Sequence, residues 1–429
     1  MSILQLAWRN ITKNPLNLIM SIILFGLGVG LISFLLLFNS QLKEKFDKNL
    51  AEIDLVVGAK GSPLQMILCS MYHIDNPTGN ISIKNATPLL KDLHPLIKKA
   101  IPLSLGDNYK SFRIVGTNHD IIDLYSGKLK EGSLWVKDFE VTVGRSVAED
   151  TGLKLGDKFV SSHGFNEDED MAHDHTSFTV TGILEGTGSV IDQLILTNTA
   201  TIWRVHEHEE EGGAESDSTK FTHNHTENEP SNHHHDNSNA DLLNHPDQEI
   251  TSILIRYKNR TNFQALNFGR NINENTEMQA ASPAIEINRL YNMIGVGTDA
   301  LRSLAILIAI VSALSIFISL YKSMRERKYE LALIRVLGAG RIKVFALIIT
   351  EGLILAIIGF VIGTALSHIG MEIIAGYLKA DFRYSFTGWK WVNDEYLIFA
   401  ISLMLGFIAA IIPAIQAAKT DINKTLSEK

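Results

Sequence analysis

Histidine is the most unevenly placed residue type in this chain. Eleven of its 15 histidines fall in two stretches, His163–His175 and Val205–His245. They include the pairs His173/His175, His206/His208 and His223/His225 and the run His233, His234, His235. Neutral imidazole and carboxylate oxygens are good ligands for zinc, copper and nickel. Zinc captured loosely at these histidines is therefore a candidate chemistry. No spacing closes a coordination shell, so a tolerated, solvated surface loop is the competing reading. The histidines are scattered and internal, unlike a purification tag. Between Val205 and Glu249 there are twelve acidic residues against one basic residue, Lys220. That stretch is nearly free of apolar residues and is expected to be disordered.

Other reactive groups are sparse. Cys69 is the single cysteine, so no intramolecular disulfide forms. Cys69 and His73 are four residues apart and share a helix face if the segment is helical. Packing explains that pair more readily than metal binding does. No nucleophile–base constellation stands out, and no Gly-x4-Gly-Lys-Ser/Thr phosphate loop is present. The chain reads as non-catalytic, with no directly bound cofactor. Glu351 is the exception in an apolar neighbourhood. A carboxylate there is costly when unpaired. It either pairs with a neighbouring Arg or helix, or it snorkels to the interface.

The elements that hold these groups are dominated by four apolar stretches: Leu18–Phe38, Ser303–Tyr321, Gly352–Met371 and Tyr396–Ala418. Each has about the ~20 residues a helix needs to cross ~30 Å of hydrocarbon. Gly26/Gly30 and Gly359/Gly363 are spaced four apart within spans, either for close helix contact or as ordinary membrane glycines. The net charge of -8 is concentrated in the two histidine stretches and the rest of the chain is net basic, so it carries no message about nucleic acid. Arg9 and Lys13 precede an uncharged run from Asn14 to Leu42, too long for a cleaved leader, which indicates an uncleaved anchor. Basic residues also crowd the segment between the second and third spans (Lys322, Arg325, Arg327, Lys328, Arg335, Arg341, Lys343) and follow the fourth (Lys419, Lys424, Lys429). Both termini are therefore expected in the cytoplasm and the large domain outside. Tyr377, Tyr384, Trp389, Trp391 and Tyr396 suit an interfacial aromatic belt, with loop packing as the alternative.

Three parts follow. Residues 1–45 hold the N-terminus and first span. Residues 46–284 form an external α+β domain carrying the histidine stretches 163–175 and 205–245. Residues 285–429 form a stalk and spans two to four. Strands are predicted at Ile53–Val57, Phe112–Gly116, Phe139–Val143, Phe178–Ile183, Leu194–Thr197 and Ile250–Tyr257. Helices are predicted at Pro88–Ile101, Arg145–Thr151 and Asn262–Asn275. The fold class is an α-helical membrane protein of four transmembrane helices with a large α+β extracytoplasmic domain between helices 1 and 2.

Between spans two and three, Ser323–Ala339 predicts a short amphipathic helix. Tyr329, Leu333, Val336 and Leu337 recur at helical spacing, and Gly338 and Gly340 suit its C-terminal end. Such a helix either docks into a partner's groove or lies on lipid headgroups.

The run Arg325-Glu-Arg-Lys-Tyr-Glu-Leu-Ala-Leu-Ile-Arg-Val-Leu-Gly-Ala339, followed by Glu351-Gly352, resembles the signature of FtsX/MacB-type permeases. So do Ala7-Trp-Arg-Asn-Ile11 with Asn14-Pro15, and the ending Pro413-Ala-Ile-Gln-Ala-Ala-Lys-Thr-Asp421. Val143-Gly-Arg-Ser-Val-Ala148 with Leu155-Gly-Asp157, then Val180-Thr-Gly-Ile183 with Gly188, Ser189 and Asp192, is similar to that family's extracytoplasmic core. The resemblance covers nearly the whole chain outside the histidine stretches. It implies a permease subunit of an ABC transporter in the bacterial inner membrane. Two copies of a separate ATPase would bind ATP, and a second permease copy, identical or paired, would complete the complex. Arg325, Glu326, Arg327, Tyr329, Glu330, Leu333, Arg335, Val336 and Gly338 would form the element that couples to the ATPase. The resemblance also implies transmission of mechanical work to the external domain. The cargo would be a lipoprotein, lipid, peptide or drug, and membrane lipid and a periplasmic protein would be further partners. Two alternatives remain: a zinc-linked transport system using the histidines, and a regulator of an extracytoplasmic cell-wall hydrolase.

Overall fold

The structure, a computed structural model, describes residues 2–13, 15–162, 172–212, 238–382 and 386–419. Its helices in chain order are α1 (Ile3–Thr12), α2 (Pro15–Leu50), α3 (Pro63–Tyr72), α4 (Ile83–Leu90), α5 (Asp120–Leu124), α6 (Arg145–Thr151), α7 (Thr199–Gly212), α8 (Asn239–Leu242), α9 (Phe263–Asn275), α10 (Pro283–Glu326), α11 (Lys328–Val336), α12 (Arg341–Phe382) and α13 (Asp394–Lys419). Its strands are β1 (Leu55–Ala59), β2 (Ile81–Ser82), β3 (Ile97–Tyr109), β4 (Phe112–Thr117), β5 (Leu129–Gly132), β6 (Glu140–Val143), β7 (Lys158–Ser162), β8 (Ala172–Leu184), β9 (Ile195–Thr197), β10 (Glu249–Ile250), β11 (Ser252–Tyr257) and β12 (Met278–Ala281). The chain divides into two units. One comprises Met1–Lys43 with Met293–Lys429, and the other is Glu44–Asn292.

Among the described residues four helices are long and apolar enough to span a bilayer: Leu18–Leu50, Pro283–Glu326, Arg341–Leu378 and Asp394–Lys419. Hydrocarbon offers no partner for an open backbone, so such segments must close their hydrogen bonds within the helix. Each helix outruns the apolar stretch in its sequence, because polar flanks continue the helix beyond the greasy part. The apolar core of this unit draws on Phe25 and Val29 of α2, Ile316 and Leu320 of α10, Leu355 and Phe360 of α12, and Ala410 of α13.

The glycine pairs in α2 and α12 face one another. A methyl group on Gly363 would stand 2.6 Å from the Gly26 carbonyl oxygen, and one on Gly30 would stand 2.9 Å from that of Gly363. The two backbones therefore touch with no side chain between them, as small-residue motifs permit in membranes. Ser312 of α10 donates its hydroxyl to the carbonyl of Leu24 at 2.8 Å, a polar tie between two spans.

The second unit is built on one mixed sheet. Its strand path is β12-β1-β11-β3-β4-β9-β6-β8-β5, with β7 pairing both β3 and β8. The pairs β4–β9 and β6–β8 are parallel, and the remaining ladders are antiparallel. Two apolar cores fill its faces. One gathers Leu55, Val57, Ile83, Leu90, Ile253 and Ile272, and the other Phe112, Ile114, Val143, Phe159, Phe178 and Ile202. An α/β domain thus lies between the first and second spans.

Several elements differ from their sequence expectation. Pro88–Ile101 is not one helix: α4 ends at Leu90, and residues from Ile97 onward belong to the 13-residue strand β3. Pro95 disfavours helical backbone at His94 and separates the two. The first histidine stretch gives way to strand at Ala172, so His173 and His175 belong to β8, although their side chains lie outside the described residues. The second stretch is ordered at both ends. Ile202 and Val205 are buried in the core, and α7 carries on from them to Gly212 through a glutamate-rich run of high helix propensity. His206 and His208 lie on α7, again without described side chains. Leu242 of α8 returns to the core. His223, His225, His233, His234 and His235 lie outside the described residues.

Candidate functional site

The segment Ser323–Ala339 is divided in two. Its first residues complete α10, the chain breaks at Arg327 (φ -104°, ψ 16°), and α11 takes up residues 328–336. The helix ends on a left-handed glycine. Gly338 has φ +99°, its N–H donates to Arg335, and that of Ala339 donates to Ile334. These two bonds are the Schellman closure that glycine favours. Gly340 has a different role from the expected one. Its carbonyl accepts the N–H groups of Lys343 and Val344, so it opens α12.

Arg327 marks the break because its side chain turns inward. Its guanidinium meets the Glu351 carboxylate with both terminal nitrogens, Nη1 to Oε1 at 3.3 Å and Nη2 to Oε2 at 3.2 Å. Nε donates to the Ser323 carbonyl at 3.2 Å, and Nη2 also donates to the Ser323 hydroxyl. Asn10 of α1 donates Nδ2 to Glu351 Oε1 at 2.8 Å. Glu351 is 1 % exposed and Arg327 is buried. A bidentate pair of this kind fixes direction as well as charge. One buried carboxylate on α12 thus joins the N-terminal helix and the loop helix. Outside this node Lys13 and Glu330 form an exposed ion pair at 2.8 Å.

The remaining loop residues point elsewhere. Leu331 and Ala332 bury the inner side of α11. Tyr329, Leu333, Val336 and Leu337 are exposed, Val336 at 58 % and Leu337 at 79 %. Arg325 and Glu326, in the last turn of α10, are exposed, and Arg335 is half-buried. The result is a short helix with an apolar outer face and a buried ionic anchor at its start.

Elsewhere in this unit, a cavity of about 340 Å³ lies among α2, α10 and α13. Phe25, Ile32, Ile306, Ile310, Ile401 and Leu405 line it, with Asn39, Thr298, Arg302 and Ser402 as its polar members. Tyr377, Trp389, Trp391 and Tyr396 are exposed, and Trp391 stacks on the His368 ring. Sequence reasoning missed the partner of that ring: His368 Nε2 lies 2.9 Å from Glu395 Oε1. The available signal was a lone histidine inside an apolar span, followed by a carboxylate at the head of the next.

In the α/β unit, Cys69 of α3 is buried, with Arg113 Nη1 at 3.9 Å from its sulfur. Burial pushes the thiol up to about 11 despite the nearby guanidinium. His73 caps the same helix in left-handed backbone at φ 53°. Burial, helped by the charge of Arg113, holds its ring down to about 3, so it is neutral. Among the described residues no three His, Cys, Asp or Glu side chains converge on a metal-sized site.

Comparison with known proteins locates the resemblance. No curated protein matches the chain. The extracellular domain of the noncanonic ABC-type transporter YknZ from Gram-positive bacteria aligns at 11 % identity over 54 % of this chain and 98 % of that one. Its TM-score of 0.30 is too low to bear on fold or function. Residues 302–422 match the FtsX-like permease C-terminal family model, a region that takes in α11, Glu351 and the last two spans entire. Residues 302–422 thus resemble the C-terminal domain of FtsX-like permeases, in a chain whose described residues include four helices long and apolar enough to cross a membrane.

Proposed function

We propose that this chain is the membrane subunit through which a separate ATPase does work on the far side of the bilayer. Two ATPase copies engage the exposed face of α11 on a pair of permeases, and the chain hydrolyses no ATP itself. The inner bacterial membrane is the setting, with both termini in the cytoplasm and the unit Glu44–Asn292 in the periplasm. One observation carries this reading: α11 offers Tyr329, Leu333, Val336 and Leu337 outward while Arg327, at its start, is clamped to Glu351. An apolar helical face fits a groove on a soluble partner, and the clamp passes its displacement into α12. The groove lined by Phe25, Ile306 and Leu405, with Arg302 beside it, favours a lipidic cargo over a polar peptide.

The test is co-purification. The full chain is expressed at native level with an affinity tag, and bound ATPase activity is assayed. The wild type should retain an ATPase that the Leu333→Asp/Val336→Asp variant loses. Equal recovery from both would remove α11 as the docking element.

A metal-linked role is the second reading, carried by the density of histidines in 163–175 and 205–245. Deleting residues 213–237 should change growth under zinc limitation or zinc excess. Unchanged growth in both conditions removes the metal role and leaves the permease reading intact.

A further inference from the structure

Glu395, the second residue of α13, has 0 % exposure. Its Oε1 lies 2.9 Å from Nε2 of His368 on α12 and accepts the Ser33 hydroxyl of α2 at 3.0 Å. Its Oε2 accepts the N–H of Val392 at 3.2 Å. The other ring nitrogen of His368, Nδ1, meets the carbonyl oxygen of Gly388. A carbonyl oxygen only accepts, so Nδ1 carries hydrogen. Two states then remain for the Nε2–Oε1 contact. With one proton between them it is a charge-assisted hydrogen bond. Without that proton a nitrogen lone pair faces a carboxylate oxygen at contact distance, which is repulsive.

We propose that His368 and Glu395 form a proton-binding site, and that the bound proton holds together the ends of α2, α12 and α13 remote from α11. An ionisable pair inside membrane helices is costly and is kept where it does something. The contrast with the other node is chemical. A guanidinium offers no proton to exchange, whereas histidine is the side chain suited to binding and releasing one. Other titratable and polar groups flank the pair among the described residues. Glu372, one turn along α12, is exposed and accepts the Gly388 N–H at 2.6 Å and the Thr387 hydroxyl at 3.4 Å. Asp394 is exposed, and Lys390 of the same loop is half-buried. From α2, the neutral Gln41 donates to the Thr387 carbonyl at 2.7 Å and accepts its N–H at 3.0 Å. Arg383 lies outside the described residues. When the proton leaves Nε2, α13 loses its tie to His368 through Glu395, while His368 Nδ1, Gln41 and Glu372 still hold the loop before it. On the topology proposed above this end faces the periplasm, so the site reads external pH.

Trp391 supplies the readout, since its ring stacks on His368 at 5.7 Å and 15°. The full chain in lipid nanodiscs is titrated from about pH 5 to 9, and Trp391 emission is taken as the difference from Trp391→Phe. The wild type should show one transition, and its melting temperature should fall as pH rises through it. His368→Gln should abolish the transition and flatten the melting profile. Glu395→Gln, close in shape, should do the same and decides the matter if the histidine variant does not fold. A wild type without a transition, or a transition that survives either substitution unshifted, overturns the proposal.

Discussion

Removing Glu351 should cost far more than removing an ordinary surface carboxylate, and the amount follows from what it leaves behind. Glu351→Ala strands the Arg327 guanidinium in a buried site, with the Ser323 carbonyl and hydroxyl as its remaining partners among the described residues, and deprives Asn10 Nδ2 of its acceptor. Breaking one side of a buried pair typically costs about 3–5 kcal/mol. In a body of this size that lowers the melting temperature by about 6–20 °C. Replacing both partners with apolar residues of similar volume, Arg327→Met with Glu351→Leu, is often neutral or stabilising by about 1–4 kcal/mol. The assay is thermal unfolding of the full chain in nanodiscs, with wild type, both single variants and the double variant closing a cycle. If the pair serves coupling as well as folding, the double variant regains stability yet fails to stimulate its ATPase. A single-variant cost below about 1 kcal/mol, typical of exposed pairs, would refute the claim that this site is buried and singly anchored. A double variant that couples normally would confine the pair to a structural role.

Three further outcomes are expected. Gly363→Ala should destabilise the membrane unit by about 1–3 kcal/mol, as overpacking does, because its methyl would stand 2.6 Å from the Gly26 carbonyl oxygen; thermal unfolding checks it. Cys69, its thiol pushed up to about 11, should resist iodoacetamide at pH 8 in the folded chain and react only after denaturation, as mass spectrometry would report. His73 should destabilise the fold in acid. Its folded value of about 3 lies below the ordinary 6.5, so the unfolded chain binds more protons between these values, and stability falls as pH drops through that window by up to ~1.4 kcal/mol per pH unit. His73→Asn should show a shallower acid limb in denaturant titrations, and an equally steep limb would assign the loss to other groups.

What could be read from the residues depended on how local its cause was. The spans announced themselves through uninterrupted apolar runs, and the outer face of α11 through the spacing of Tyr329, Leu333 and Val336. Glu351 stood out because a carboxylate in that setting needs a partner. Which partner it takes was not legible, since Asn10 and Arg327 approach it from 341 and 24 residues away. The glycine motifs could be seen one by one, but their mutual contact is a property of packing. The strand β3 was not legible because residues up to Ile101 read locally as one helix from Pro88, and tertiary pairing with β11 and β4 overrides that local cue. His368 passed as one more residue of a greasy run.

The backbone contact between α2 and α12 has a mechanical consequence. Where Gly26 and Gly30 meet Gly363 backbone lies against backbone, and Phe25 is packed onto Gly359, so the two helices have little room to slip and act as a single beam. The helix α10 is held less firmly, with 22 % of its most apolar window buried against 50 % for each member of that beam. Flexing of the bundle within a single subunit is therefore cheapest as a swing of α10 about a stiff frame. A spin-label pair placed across α2 and α12 should stay narrow in distance while one reaching to α10 broadens.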